Sequence, residues 1–136
     1  MRLFSLALVL AALVLAASAS AAAPVKATLN ASSPTPLVDE PWRYTVVVRD
    51  GSGKPIVAKM RLQILFGGLV VGCWKGGAMT QCTGATAGAW IKFKGKRTGV
   101  ITWPAQSVGV KLTFQAVVVV ATRTLRLRVP VTVQPV

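Results

Sequence analysis

The sequence predicts an all-β protein built as a single antiparallel β-sandwich of about seven or eight strands. Apolar residues alternate with polar ones in several runs, which is the pattern of half-buried strands. Turn signals rich in glycine separate these runs, and no long segment after residue 23 shows the period of an amphipathic helix. The runs cover residues 42–49, 59–66, 91–94, 111–120 and 124–129.

Each run has its own signature. In the first, apolar side chains occupy the even positions from 42 to 48, and in the second they occupy those from 60 to 66. The pair Gly67-Gly68 follows the second run and predicts a tight hairpin, whose residues need positive φ, leading into LVVG. Ile91 and Phe93 alternate with lysines, and the last two runs alternate Leu, Phe and Val with polar residues. The connection at 103–109 is expected to hold about one helical turn.

Residues 1–23 have the three-part layout of a secretory signal peptide. A positive start at Arg2 precedes an apolar stretch at 3–17 and a run of small residues at 18–23, and we expect cleavage between Ala19 and Ala23. An uncleaved anchor is the alternative, but the apolar stretch is shorter than the ~20 residues that span a bilayer. We therefore expect a secreted or extracytoplasmic protein, with one domain at residues 24–136 and no transmembrane span after cleavage.

The two cysteines, Cys73 and Cys82, are expected to form a disulfide, because an exported protein meets oxidising conditions. Their spacing is too wide for a C-x-x-C redox pair, and without histidine no zinc site is completed, so no metal or cofactor is predicted. The enclosed loop supplies Trp74, Lys75 and Met79 as candidate contact residues. In the alternative interpretation, Trp74 and Met79 fold back to cover the core.

The balance of charge argues against an enzyme. Sixteen lysines and arginines accompany three carboxylates, and histidine is absent. A Ser-His-Asp triad is therefore impossible. Asp39 and Glu40 are adjacent and Asp50 lies in a turn, so no plausible acid and base pair remains. We predict no catalytic residues and a protein that is not an enzyme.

Several segments resemble a known class of domain. The sequence PWRYTVVVRDGSGKPIVAKMRLQILF at 41–66 resembles the opening half of a bacterial immunoglobulin-like domain. GGLVVG at 67–72, TWPAQSVG at 102–109 and KLTFQAVVV at 111–119 resemble small secreted immunoglobulin-like proteins of high-GC bacteria. The resemblance implies an immunoglobulin-like β-sandwich at 24–136 and no particular activity. The cysteine pair departs from the antibody pattern, in which the bridge joins two distant strands across the core.

The excess of cations suggests a polyanionic partner. The densest cluster is Lys92, Lys94, Lys96 and Arg97, and we take these four as candidate anion-contacting residues. We predict a non-catalytic module for adhesion to an anionic cell-envelope surface or for interaction with a protein. Nucleic acid is disfavoured because export separates the protein from it and no recognition motif is present. The alternative is a stand-alone structural domain without a specific ligand, and convergence of the cations on one face would favour the first interpretation.

Overall fold

The computed structural model describes residues 24–136, so the predicted signal peptide lies outside the described residues. In this range it has nine strands, slightly more than the seven or eight predicted, and the all-β prediction is confirmed. Within the same range no helix is long and apolar enough to cross a membrane. The strands are β1 (Val25–Ala31), β2 (Trp42–Asp50), β3 (Val57–Phe66), β4 (Leu69–Lys75), β5 (Ala78–Gln81), β6 (Ile91–Lys94), β7 (Lys96–Ile101), β8 (Lys111–Val120) and β9 (Arg123–Thr132).

The strands form two antiparallel sheets that face each other. The smaller sheet has three strands in the order β1-β2-β7. The larger has six, in the order β5-β4-β3-β8-β9, and β6 pairs with β3 beside the first half of that strand. Because β3 is ten residues long, β6 and β4 both pair with it along the edge opposite β8. The sixth strand thus lies in line with β4.

The core lies between the two sheets and is built by the alternation that the sequence shows. Strand β2 has the burial pattern of a half-buried strand, with its even positions from 42 to 48 all buried. Strands β3 and β8 face it from the larger sheet, and residues 62–65 and 114–118 of these strands are buried on both faces. The largest fully buried side chains of the core are Trp42, Trp103, Phe114, Met60 and Leu62.

The predicted turns are also present. Gly67 and Gly68 connect β3 to β4 with φ of 58° and 82°, which glycine adopts without steric cost. Gly76 and Gly77 make the equivalent turn between β4 and β5, with φ of 65° and 83°. The expected helical turn in the 103–109 connection is a 3₁₀ turn at Ala105–Ser107.

Candidate functional site

The predicted cluster at 92–97 is divided between the two sheets. Lys92 and Lys94 lie on the outer face of the six-stranded sheet, because Ile91 and Phe93 of the same strand pack against the core. Lys96 pairs with Val47 on the outer face of the small sheet. Arg97 pairs with Val46 and so lies on the inward side of the small sheet, at its β7 edge. The structure therefore does not bring these four cations together as one patch.

Gly95 is the residue at which the chain passes from one sheet to the other. Its N–H donates to the Ile56 carbonyl at 2.9 Å, while its own carbonyl accepts from the N–H of Val48 at 2.8 Å. The residue is buried and has a φ of 74°, in the left-handed region. Lys94 before Gly95 therefore lies on the outer face of the six-stranded sheet, and Lys96 after it lies on the outer face of the three-stranded sheet.

Other cations join Lys92 and Lys94 on the outer face of the six-stranded sheet. Lys59 lies opposite Lys92. Arg61 and Arg126 are both paired with Val117, one on each side of it. Residues paired across antiparallel strands share a face, and the six cations of β3, β6 and β9 on this side form what we call the cationic face. Its members are Lys59, Arg61, Lys92, Lys94, Arg126 and Arg128.

No carboxylate shares this face within the described range. Asp39 and Glu40 lie in the connection between β1 and β2, and Asp50 ends β2 in the other sheet. Neighbouring strands lie about 4.8 Å apart, so cations on β6, β3 and β9 are within one or two Debye lengths of each other at physiological ionic strength. Their fields therefore add over the face.

The cations do not all converge on one face. Of the sixteen lysines and arginines, only Arg2 precedes residue 24, which leaves fifteen in the described range. The cationic face holds six of these, and Lys75 and Lys111 also lie on the outer side of the six-stranded sheet. Four others lie on the outer face of the three-stranded sheet: Lys26, Arg43, Arg49 and Lys96. The distribution is uneven rather than one-sided, and the larger share is on the six-stranded sheet.

Trp90 is the aromatic member of the cationic face, and no motif in the sequence singled it out. Its side chain is 38% exposed. The Lys59 ammonium lies 4.3 Å from the centre of the Trp90 ring, and the guanidinium carbon of Arg61 lies 3.8 Å from it. Arg61 also donates from Nη1 to the carbonyl of Thr86. These contacts hold the indole against the two cations by cation–π attraction.

A chain of hydrogen bonds runs across the same face to the loop at 82–90. Nε2 of Gln63 donates to the carbonyls of Ala85 and Ala87 at 3.0 and 2.9 Å. Nε2 of Gln115 donates to Oε1 of Gln63 at 2.9 Å, and Nε of Arg128 donates to Oε1 of Gln115 at 2.6 Å. Alternation predicts that both glutamines face solvent, but they are 1% and 4% exposed. Their burial is tolerated because both amides are hydrogen-bonded.

The predicted disulfide between Cys73 and Cys82 is present, with a Cα–Cα distance of 5.6 Å. Most of the enclosed segment is the β4–β5 hairpin and not an irregular loop. Trp74 and Met79 are paired across this hairpin and pack against the core, as the second of the two interpretations expects. Lys75 is exposed at the hairpin tip. Whether any of the three contacts a ligand stays a prediction.

Asp50 has a structural role in the turn after β2. Its Oδ1 accepts hydrogen bonds from the Ser52 hydroxyl at 2.7 Å and from the N–H groups of Ser52 and Lys54, both at 2.9 Å. These bonds, the Ser52 hydroxyl first, hold the pKa of the Asp50 carboxyl below its ordinary value. A carboxylate kept ionised in this way stabilises the turn.

The comparisons with known proteins show no family. No family model matches the sequence, and no curated protein matches it either. The crystal structure of Spo0M, a sporulation control protein from Bacillus subtilis, is similar with a TM-score of 0.45 and 12% sequence identity. The match covers 84% of this chain and 50% of that chain, so this chain spans about half the length of Spo0M. The immunoglobulin-like resemblance stays a prediction.

Proposed function

We propose that the protein is a secreted, non-catalytic immunoglobulin-like module that binds an anionic polymer of the cell envelope through the cationic face. The observation that supports this most directly is the gathering of six cations on one face of the larger sheet, away from all three carboxylates. A positive field over one surface raises the local concentration of polyanions and speeds their association.

The shape of the cationic face favours a polymer over a small anion. Its cations are distributed over three strands, β6, β3 and β9. A polymer with repeated negative charges contacts several of them at once, and each further contact becomes intramolecular after the first. Arg61 is fixed against Trp90 and Thr86, and Arg128 against Gln115, so these two lose little freedom on binding.

Secretion and the absence of catalysis are parts of the same proposal. Secretion is supported by the layout of residues 1–23 and by the Cys73–Cys82 bridge, which is typical of oxidising compartments. Lack of catalysis is supported by the missing histidines and by the scarcity of carboxylates. A structural domain without a ligand is the alternative that the following experiment separates.

The experiment compares two double variants that change the net charge equally. Lys92→Glu/Lys94→Glu reverses two lysines on the cationic face, and Lys26→Glu/Lys96→Glu reverses two on the outer face of the small sheet. All four side chains are exposed. Binding is measured by co-sedimentation with purified bacterial cell walls and by titration of fluorescent dextran sulfate, at increasing salt.

We expect the cationic-face variant to bind both probes at least about tenfold more weakly than the small-sheet variant, with a shallower salt dependence. Equal loss in both variants would show that net charge alone drives binding. A lack of retention of the unmodified protein on cell walls would favour a structural domain without an envelope ligand. Binding that does not weaken with salt would exclude charge as the mechanism.

A further inference from the structure

A cleft opens between the six-stranded sheet and the 102–110 connection, and the sequence did not predict it. Its volume is about 590 Å³, within the range of about 300–1,000 Å³ that small-molecule sites occupy. The 102–110 connection forms one wall and strands β3, β4 and β5 form the other. Eight of its lining side chains are apolar or aromatic: Ile64, Phe66, Val71, Met79, Trp103, Pro104, Val110 and Leu112.

The mouth of the cleft exposes apolar surface. Phe66 is 54% exposed and Val71 is 39% exposed, although alternation predicts Phe66 to be inside the core. The β3–β4 pairing shifts register between Ile64 and Leu65, so Val71 is left over as an extra residue of β4. The bulge and the strand end leave these side chains at the opening, where an apolar ligand would cover them.

One residue that lines the cleft, Trp103, carries a buried hydrogen-bond donor that has no partner among the described residues. Trp103 is fully buried, and its Nε1 has no hydrogen-bond partner in the described part of the chain. Trp42, which packs edge-on against it with ring centres 5.3 Å apart, instead donates from its Nε1 to the Ser33 carbonyl at 2.7 Å. Buried hydrogen-bond donors are normally paired with an acceptor. The described residues supply no acceptor for the indole N–H of Trp103.

We propose that this cleft binds a small, uncharged and largely apolar molecule that carries a hydrogen-bond acceptor such as a carbonyl oxygen. The apolar walls cover the body of the ligand, and the acceptor pairs with the Trp103 N–H, which is buried in this structure, once the atoms that cover it move aside. The exposed carboxylate of Asp39 lies on the lining, which disfavours a negatively charged head. This site is independent of the cationic face.

The test uses 2-octanone and octanoate, two probes with equal carbon number but different charge. The sequence has four tryptophans, so the indole region of the proton–nitrogen spectrum contains four N–H signals, and Trp103→Phe identifies that of Trp103. We expect 2-octanone to shift the Trp103 signal saturably and to leave the Trp90 signal in place. Octanoate should bind about tenfold more weakly because of Asp39.

Two surface variants keep the test informative if Trp103→Phe does not fold. Val71→Arg places a charge in the mouth and should weaken 2-octanone binding by about tenfold or more. Val57→Arg, at a position that is 69% exposed and outside the cleft, is the matched control and should bind as the parent does. An unshifted Trp103 signal, equal effects of the two variants, or equal or tighter binding of octanoate would overturn the proposal. So would a dimer, seen by sedimentation and broken by Val71→Arg, because a second copy would then be the occupant.

Discussion

Gly95 is the residue at which the chain passes between the two sheets, and replacing it tests how tightly this crossover is packed. Its φ of 74° costs a residue with a side chain about 1–2 kcal/mol. A Cβ atom added there would lie 2.4 Å from Cβ of Pro55 and 3.3 Å from its Cα. The proline ring and backbone are rigid, so relieving this overlap should cost a further ~1–3 kcal/mol. We therefore expect Gly95→Ala to lower the free energy of unfolding by about 2–5 kcal/mol.

Urea unfolding followed by tryptophan fluorescence measures this loss. With an m-value of about 1–3 kcal/mol/M, the midpoint should fall by about 1 M or more. Gly76→Ala is the matched control, since Gly76 has a φ of 65° but nothing within 4 Å of an added Cβ. It should show only the smaller backbone cost. If Gly95→Ala were no more destabilising than Gly76→Ala, the close approach between Gly95 and Pro55 would be wrong.

Three further predictions concern titrating groups and the disulfide. Burial raises the pKa of Tyr44, the single tyrosine, and the charge of Arg97 offsets part of this rise. Ultraviolet titration should find that the phenol ionises above pH 10.0. Arg97→Gln should raise the pKa of Tyr44 further. The stability that Tyr44 contributes is then present below pH 10.0 and lost as pH rises through its folded pKa; an unchanged pKa in Arg97→Gln would contradict this. The pKa of Asp50 is lowered from 3.8, so its contribution is present above pH 3.8 and lost as pH falls through the folded pKa. Asp50→Asn should make unfolding less dependent on pH in acid, and an identical acid profile would refute its role. Cys73→Ala/Cys82→Ala should lower the free energy of unfolding by about 2.5–3 kcal/mol in urea, because the bridge closes a short loop; a loss below about 1 kcal/mol would contradict that estimate.

Local patterns predicted the strands well where one face meets the core and the other meets solvent. The even positions of 42–48 are buried as expected, and the glycine pairs form the turns that need positive φ. The cysteine pair forms the expected bridge. β1 was not predicted, although Val25, Ala27 and Leu29 alternate with polar residues. Because one of its apolar residues is the small Ala27, the hydrophobic alternation of β1 is a weak signal in the sequence. Its pairing with β2 in the structure shows that it is a strand.

The candidate site was harder to predict, because it depends on which strands are neighbours. Lys92 and Lys59 are far apart in the sequence and directly opposite in the structure. Lys94 and Lys96 are close in the sequence and point away from opposite sides of the sandwich. Trp90 contacts Arg61 because the 82–90 loop folds over the larger sheet. Hydrogen bonds from Gln63 to Ala85 and Ala87 hold the loop in this position.

The sequence by itself determined the class of fold, because a period of two in hydrophobicity and glycines at the turns act locally. It also determined the charge of the protein, its shortage of catalytic groups and its disulfide. Only the tertiary structure decided which cations share a face, which glutamines are buried and where the cleft opens. Strand pairing and sheet packing join residues that are distant along the chain, and no local pattern records those pairings.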